Sequence, residues 1–528
     1  MNASASALAP AVLDWPLDAA TAAVVDWLRS DGHWTPAARV RLDSRLVQPG
    51  DVFVAAPGGA TDGRHYIAQA LAAGAAAVLW DDAGGYCWPA QGSQVPAYCL
   101  PQAHRRIGPL VAELLGHPSQ RMLVTAFTGT NGKTTASHWL AQLNEADGTP
   151  CAVAGTLGAG RFGSQALQAI GLTTPEATDL QGLLADWAGA GVRAVSLEAS
   201  SIGLAVGRLD GTSIQTAVFT NLSRDHLDFH GDFERYRAAK ARLFSWPGLV
   251  SAVVNCDDDA AEQMLTAAPS AVQRIGYRIE SGRHSALPSA RVDGWLRASR
   301  IEALDAGGYR FEVQGDWGRG SVSLRAPGRF NISNALAVAG AALANGMGFE
   351  QVLAGLSQLQ AVAGRMQMLG LPNAPLVVVD YAHTADALAQ VLGALRPLAR
   401  ARAGRLVCVF GAGGNRDPGK RESMGEAAAL AADRLVITTD NPRHEDPASI
   451  AQAILDGAQR VVGALEVALE PDRRSAIGTA IADAQVSDVI LIAGKGHENY
   501  QEIAGERLPF DDFEEARRAL ARRVGDAT

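Results

Sequence analysis

A chain of 528 residues, 48% hydrophobic and 19% charged, has the length and apolar content of about three globular domains. Its 55 acidic against 46 basic side chains leave a formal charge of −9, which disfavours non-specific binding to nucleic acid or anionic lipid. A locally basic pocket for an anionic substrate is still allowed.

The first 35 residues are Ala-rich and carry few structural signals. A strand-like alternation follows at Val40–Leu42, then the turn Gln48-Pro49-Gly50-Asp51, an apolar run at Val52–Ala55, a helix from Ile67 to Ala73 and a strand at Ala76–Trp80. This is read as a small α/β domain over residues 1–117. From Leu123, short apolar runs at Leu123–Phe127, Ala194–Leu197, Thr216–Thr220 and Ala252–Asn255 alternate with helical stretches, which predicts a parallel sheet wrapped by helices over residues 118–361. Between Ser289 and Leu324, the alternation Tyr309–Val313 and the turn Ala306-Gly307-Gly308 predict a small antiparallel insert. A third, Rossmann-like α/β domain over residues 362–528 has candidate strands Leu376–Val379, Leu406–Phe410, Leu435–Thr438 and Val489–Ala493.

Five scattered cysteines, Cys87, Cys99, Cys151, Cys256 and Cys408, make no CxxC pair, so a zinc site or disulfide framework is not expected. Residues 1–28 hold Asp14 and Asp18 and no Lys or Arg, unlike a signal peptide, and no apolar run approaches the roughly 20 residues of a membrane helix. The expected location is the cytoplasm, with no membrane insertion.

The sharpest motif is Thr128-Gly129-Thr130-Asn131-Gly132-Lys133-Thr134-Thr135, set between the strand Leu123–Phe127 and the helical stretch Ser137–Asn144. A Gly-rich turn at a helix start points backbone N–H groups and the positive end of the helix dipole at a phosphate. Lys133 can reach the β- and γ-phosphates, and the Thr134 hydroxyl can ligate Mg²⁺. The spacing is a shortened G-x-x-G-K-[ST], because Phe127 stands where the longer loop has its first Gly. Such a loop alone serves a hydrolase, a kinase or a ligase equally well.

Further motifs narrow the choice. They are Thr173-Thr174-Pro175, Glu198-Ala199-Ser200-Ser201, the run Asn221 to Asp228, Tyr236-Arg237-Ala238-Ala239-Lys240, Gly328-Arg329-Phe330-Asn331, Gly364-Arg365-Met366-Gln367, Asp380-Tyr381-Ala382-His383-Thr384, Asp440-Asn441-Pro442-Arg443 and Gly494-Lys495-Gly496-His497-Glu498. In this order, from about Leu42 to Gln501, the chain resembles the Mur ligase family. The resemblance implies a UDP-substrate-binding first domain, a central ATP-binding domain and a C-terminal amino-acid-binding domain. It implies an ATP-dependent ligase that phosphorylates a carboxylate and lets an amine capture the acyl phosphate, giving an amide, ADP and phosphate. Two anions must meet in the first step, so cations placed in advance are needed.

By resemblance, Gly129 to Thr135 hold ATP, together with Asn331, Arg365, Asp380 and His383 from the later motifs, and closure over the nucleotide is expected to exclude water. Thr134 and Glu198 are expected to ligate one Mg²⁺ and His226 a second. Lys240 is expected to be carbamylated by CO₂ and to hold metal as an anion. Read on local spacing alone, Glu198 is a solvated strand-end acid, His226 a loop histidine and Lys240 a surface helix lysine. Lys133, Glu198, His226 and Lys240 are the expected catalytic set.

Leu42, Ser44, Thr173, Thr174, Ser200 and Arg208 match contacts to a UDP-muramoyl dipeptide. Departures stand at Gly59-Ala60-Thr61, Ile202, Val206 and Ala385. Arg416, Asp440, Asn441, Pro442, Arg443, Gly494 and Glu498 match the family version that adds meso-diaminopimelate. A guanidinium fork at Arg443 suits that molecule's distal carboxylate, and Glu498 suits its distal ammonium. Partners are thus expected to be small molecules, with the chain acting as a monomer. The rival readings are a lysine-adding ligase, a folylpolyglutamate-type glutamate ligase, a plain phosphate-loop hydrolase or kinase, and a non-enzymatic nucleotide-binding module.

Overall fold

The computed structural model describes residues 17–58, 61–88, 95–164, 167–280, 288–304, 308–415, 417–461 and 466–525. Arg416, Gly59, Ala60, Ala306 and Gly307, named above, lie outside the described residues.

The Ala-rich start contains a helix that the sequence did not signal. α1 (Ala19–Ser30) is capped by Asp18, whose carboxylate accepts from the Thr21 amide at 2.8 Å. It buries Val24, Val25 and Leu28 in a core with Val52, Val54, Leu79 and Leu110. The sheet beneath is formed by β1 (Val40–Arg41), β2 (Val52–Ala55), β3 (Ala77–Trp80) and β4 (Ala97–Cys99), all parallel and in chain order. α2 (Ile67–Ala72) and α3 (Ala103–Leu114) complete it.

The next elements are β5 (Leu123–Thr128), α4 (Lys133–Ala146), β6 (Cys151–Gly155), β7 (Gly158–Arg161), α5 (Ala177–Gly189), β8 (Ala194–Glu198), α6 (Ser201–Ala205), β9 (Thr216–Phe219), α7 (Leu227–His230), α8 (Phe233–Ala241), β10 (Ser251–Asn255), α9 (Ala261–Ala267), β11 (Gln273–Ile279), β12 (Gly294–Ala303), β13 (Tyr309–Gly315), β14 (Gly318–Leu324), α10 (Arg329–Ala344) and α11 (Phe349–Gln358). Ten strands form one sheet in the order β14-β13-β12-β11-β10-β9-β5-β8-β6-β7. The stretch read as a small antiparallel insert lies at one edge of this sheet. β5 lies between β9 and β8, and the order reverses on either side of it. A doubly wound sheet opens its ligand crevice at such a point, beyond the carboxyl ends of the strands.

A six-stranded sheet follows in the order β15 (Gln367–Leu369), β16 (Leu376–Asp380), β20 (Val489–Ala493), β17 (Leu406–Phe410), β18 (Arg434–Ile437) and β19 (Glu466–Leu469). It is parallel except for the β15–β16 pair. α12 (Ala385–Ala401), α13 (Lys420–Ala431), α14 (Pro447–Gln459), α15 (Arg473–Asp483) and α16 (Asp512–Gly525) surround it, and a hairpin of β21 (Tyr500–Ile503) and β22 (Glu506–Pro509) precedes α16. Both faces are covered by separate apolar clusters, which is why these strands read as unbroken apolar runs.

By contact density the chain divides into two compact units. One comprises Met1–Ser299, Val313–Gly320 and Ser333–Gly355, the other Arg300–Glu312, Ser321–Ile332 and Leu356–Thr528. None of the described helices is long and apolar enough to cross a membrane.

Candidate active site

The phosphate loop runs from the end of β5 straight into α4, which begins at Lys133, four residues earlier than the sequence pattern indicated. The end of β9 clamps it. The Asn221 side chain accepts from the Asn131 amide at 2.9 Å and donates to the Asn131 carbonyl at 3.0 Å, and the Thr220 hydroxyl donates to that carbonyl at 2.6 Å. Both glycines are required. Gly129 (φ +150°) abuts the Thr220 hydroxyl and Gly132 (φ +86°) abuts the Asn334 side chain, so a Cβ at either would collide. Lys133 Nζ folds back onto the carbonyls of Gly129 and Thr130, at 2.9 Å each, closing the loop around its own cation.

Beside the loop lies a buried oxygen cluster. Glu198, at the end of β8 and 1% exposed, accepts from the Thr134 hydroxyl at 2.9 Å, the Thr156 amide at 2.8 Å and the Thr156 hydroxyl at 3.1 Å. Its solvated-acid reading is therefore wrong. Thr156 was missed because nothing in its local sequence marks it. Thr173 joins through a 3.3 Å contact between its hydroxyl and that of Thr156. Thr174 donates to the Glu198 carbonyl at 2.7 Å and meets the Ser200 hydroxyl at 3.0 Å, and Ser200 caps α6 through the Gly203 amide. Among the described residues no three His, Cys, Asp or Glu side chains gather into a metal cage. A carboxylate flanked by hydroxyls suits Mg²⁺, which takes oxygen ligands and keeps several waters or substrate phosphates.

Lys240 overturns its surface reading. It is carried on α8, is 1% exposed, and donates to the Gly129 carbonyl at 2.7 Å with its ammonium 4.6 Å from the centre of the Tyr236 ring. Burial holds its pKa well below the usual lysine range, with Lys133 adding to the effect and Asp225 opposing it. Tyr236 in turn shares a 2.8 Å hydrogen bond with the Thr130 hydroxyl, so one aromatic residue joins the phosphate loop to the lysine. His226 adopts φ +52° at the start of α7, its ring 6.4 Å from that of Tyr236, with 48% of its side chain exposed and Asp225 at 3.4 Å. Its imidazole is pushed below the usual histidine range by partial desolvation and by Lys133 and Lys240, against Asp225.

The remaining residues of the first unit are less gathered. Ser44 is buried and donates to Gln69 at 3.0 Å, while Leu42 packs on the N-terminal core. Arg208 is paired with Glu176 at 2.8 Å. Ile202 lies within α6 and Val206 at its C-cap, and neither takes part in the Glu198 cluster.

In the second unit, Asp380 ends β16 and is buried, accepting from the Met366 and Ala382 amides at 2.8 Å each. Burial raises its pKa, against the charge of Arg365. Arg365 stacks 4.6 Å from the centre of the Tyr381 ring, and His383 Nδ1 lies 2.9 Å from the Tyr381 carbonyl. Asn331 caps its own turn through the Pro327 carbonyl at 2.7 Å. Ala385 opens α12, the first helical position, where proline is also well accommodated, so this departure leaves the helix start unchanged.

The motifs at 440–443 and 494–498 meet beyond β18 and β20. The Lys495 ammonium donates to Asn441 Oδ1 at 2.8 Å and to Glu498 at 3.3 Å, with Asp440 at 3.7 Å, and Asn441 Nδ2 donates to Glu498 at 2.7 Å. Gly494 (φ +115°) leaves room for the Asp440 carboxylate. Burial raises the Glu498 pKa, against Lys495. Pro442 packs its carbonyl against Gly414, leaving no space there for a side chain. Arg443, at φ +54°, donates to the Gly414 carbonyl at 2.7 Å and lies 3.7 Å from Glu502. Glu498 and Arg443 thus each have an internal partner, which the sequence did not disclose.

A phosphate loop at the switch point of a parallel sheet, with a buried carboxylate–hydroxyl cluster and a buried lysine beside it, defines a nucleotide-dependent phosphate-loop α/β enzyme. Three family models match most of the chain: "Mur ligase family, catalytic domain" over residues 37–116, "Mur ligase middle domain" over 127–342 and "Mur ligase, glutamate ligase domain" over 364–496. The chain belongs to the Mur ligase family. It is 46% identical to the UDP-N-acetylmuramoyl-L-alanyl-D-glutamate–2,6-diaminopimelate ligase of Ralstonia nicotianae, covering 96% of this chain and 97% of that one. It is likewise 46% identical to the ligase of the same name from Pseudomonas aeruginosa, over 91% of this chain and 94% of the relative. A solved structure of a ligase of that name matches with a TM-score of 0.64 at 36% identity, over 92% of this chain and 95% of that one.

Proposed function

We propose that this chain is an ATP-dependent ligase that joins meso-2,6-diaminopimelate to UDP-N-acetylmuramoyl-L-alanyl-D-glutamate, in the cytoplasm, as a step of peptidoglycan synthesis. The observation that carries the reading is the phosphate loop, whose Gly129 carbonyl bonds both Lys133 and Lys240 and whose Thr134 bonds Glu198. The near full-length relatives of that name support the choice of substrates.

In this reading, the loop Gly129 to Thr135 binds the ATP phosphates, with Asn331, Arg365, Asp380 and His383 serving the nucleotide. One Mg²⁺ would be held by Thr134 and Glu198 and a second by His226, and the ions would neutralise charge between the phosphates and the acceptor carboxylate. Lys133 supplies fixed positive charge to the same end. Lys240, stripped of water, gives up its proton and becomes competent to take CO₂ as a carbamate, which turns a buried cation into an anionic oxygen ligand. Leu42, Ser44, Thr173, Thr174, Ser200 and Arg208 receive the UDP-muramoyl dipeptide. Asp440, Asn441, Pro442, Arg443, Gly494 and Glu498, with Arg416, receive diaminopimelate. Arg443 is assigned the distal carboxylate. Lysine lacks that group and would leave the guanidinium without its ligand.

The test is phosphate release from ATP and incorporation of radiolabelled amino acid into UDP-muramoyl dipeptide, each substrate omitted in turn. Diaminopimelate should be incorporated at least 100-fold more efficiently than lysine. Equal use of the two would refute the substrate assignment, and ATP turnover indifferent to the UDP-muramoyl dipeptide would refute the ligase reading.

A further inference from the structure

The function above gives Lys495 no task, yet it is the best-buried ammonium of the second unit, 0% exposed. A buried ammonium is retained only where its partners compensate the lost hydration. Its polar partners are residues assigned to the amino acid, Asn441 at 2.8 Å, Glu498 at 3.3 Å and Asp440 at 3.7 Å, and its ammonium also lies 5.5 Å from the centre of the Tyr500 ring. We infer that Lys495 is the positioning and specificity-determining residue of the diaminopimelate site. It locks Asn441 and Glu498 into one arrangement and sets the charge that the site offers to a single incoming ammonium.

The charge count is direct. Asp440 and Glu498 contribute two formal negative charges and Lys495 one positive; Arg473, which also faces both carboxylates, is balanced by Asp512, so one negative charge is left to receive one cation. The geometry fixes where that charge is presented. Asn441 accepts a hydrogen bond from Lys495 on Oδ1 and donates from Nδ2 to Glu498 at 2.7 Å, so the amide cannot flip without breaking both bonds. The same Oδ1 accepts from the Glu502 amide at 2.9 Å, tying the hairpin β21–β22 to the arrangement. Lys495 thus acts through Glu498 and Asn441, and not by touching the reacting amine.

This inference rests on the substrate reading above, and the test separates the two. Steady-state ligation is measured with diaminopimelate and with 2-aminopimelate, which keeps one amino-acid head and the distal carboxylate but lacks the distal ammonium. Lys495→Met should raise KM for diaminopimelate at least tenfold with kcat changed less than threefold, and should move KM for 2-aminopimelate less than twofold. Equal rises for both substrates, or none, would overturn the inference. If melting curves show that the Met variant does not fold, Lys495→Arg takes its place. With the charge kept, it should hold the preference for diaminopimelate within threefold of the parent, and loss of that preference would overturn the inference. If the unmodified enzyme incorporates no diaminopimelate, the substrate reading fails independently of Lys495.

Discussion

Lys240 shows what a single residue costs and supplies. An ammonium buried against a carbonyl and an aromatic face is poorly compensated, and its proton is bound more weakly in the folded state than in the unfolded chain. The unfolded state therefore binds more protons between the depressed folded pKa and the free lysine value of about 10.4, and this group's contribution to stability rises with pH across that window. Lys240→Met removes the mismatch. It should raise the Tm of the enzyme without substrates by a few degrees at pH 7, an advantage that shrinks toward pH 10, while ligation falls at least 1000-fold. A lower Tm for the variant at pH 7, read by calorimetry, would contradict this account of the burial. The phosphate loop was legible because a Gly-rich turn between a strand and a helix has a distinctive pattern, whereas the burial of Glu198 was not, because Thr134 and Thr156 reach it from other elements. The burial of Lys240 was not, because Tyr236, Ala239, Lys240 and Leu243 fit the period of a surface helix equally well. Arg443's left-handed backbone and its partner Glu502 were invisible for a different reason: a strand pairing some sixty residues away imposes them.

At the scale of elements, α8 transmits the fold to the chemistry. It presents Tyr236 and Lys240 to the loop, and it starts from one capping contact, Asp232 accepting from the Arg235 amide at 2.7 Å. Asp232→Ala should cost about 1 kcal/mol in urea unfolding, as lost N-caps do. Because fraying would move the face that touches Thr130, kcat should fall several-fold while KM for diaminopimelate stays put. Asp232→Ser, which can still cap, should restore both. A KM effect without a kcat effect would show that α8 serves binding alone. Strands with unbroken apolar runs were found from sequence, some with ends displaced by one residue. One apolar run was missed, β6 at Cys151 to Gly155, and other missed strands carry none: β7 is Gly158-Ala159-Gly160-Arg161, and β19 is an edge strand opening on Glu466. α1 escaped because its alanines give helix propensity but little contrast between its faces.

For the whole molecule, the division into two compact units raises the question of whether it unfolds as one. Composition supplies an unusually clean probe. Of the 10 tryptophans, the nine among the described residues, Trp27, Trp34, Trp80, Trp88, Trp139, Trp187, Trp246, Trp295 and Trp317, all fall within the first unit. Their fluorescence reports that unit alone, whereas far-UV circular dichroism reports both. The second unit is pinned by Arg473, on α15, which bonds Asp512 at the start of α16 through two 2.7 Å contacts and also donates to the Ala493 carbonyl at 3.0 Å. Both charges are 0% exposed. Removing one partner of such a buried pair leaves the other uncompensated and costs about 3–5 kcal/mol, whereas replacing both by apolar groups is often neutral. Arg473→Met should therefore pull one phase of the circular dichroism transition to lower urea and leave the tryptophan transition where it was. The double variant Arg473→Met with Asp512→Leu should recover most of the loss. If the tryptophan curve follows the circular dichroism curve downward in the single variant, the two units unfold cooperatively, and chain-wide stability, not local order around α16, sets how well the amino-acid site is held.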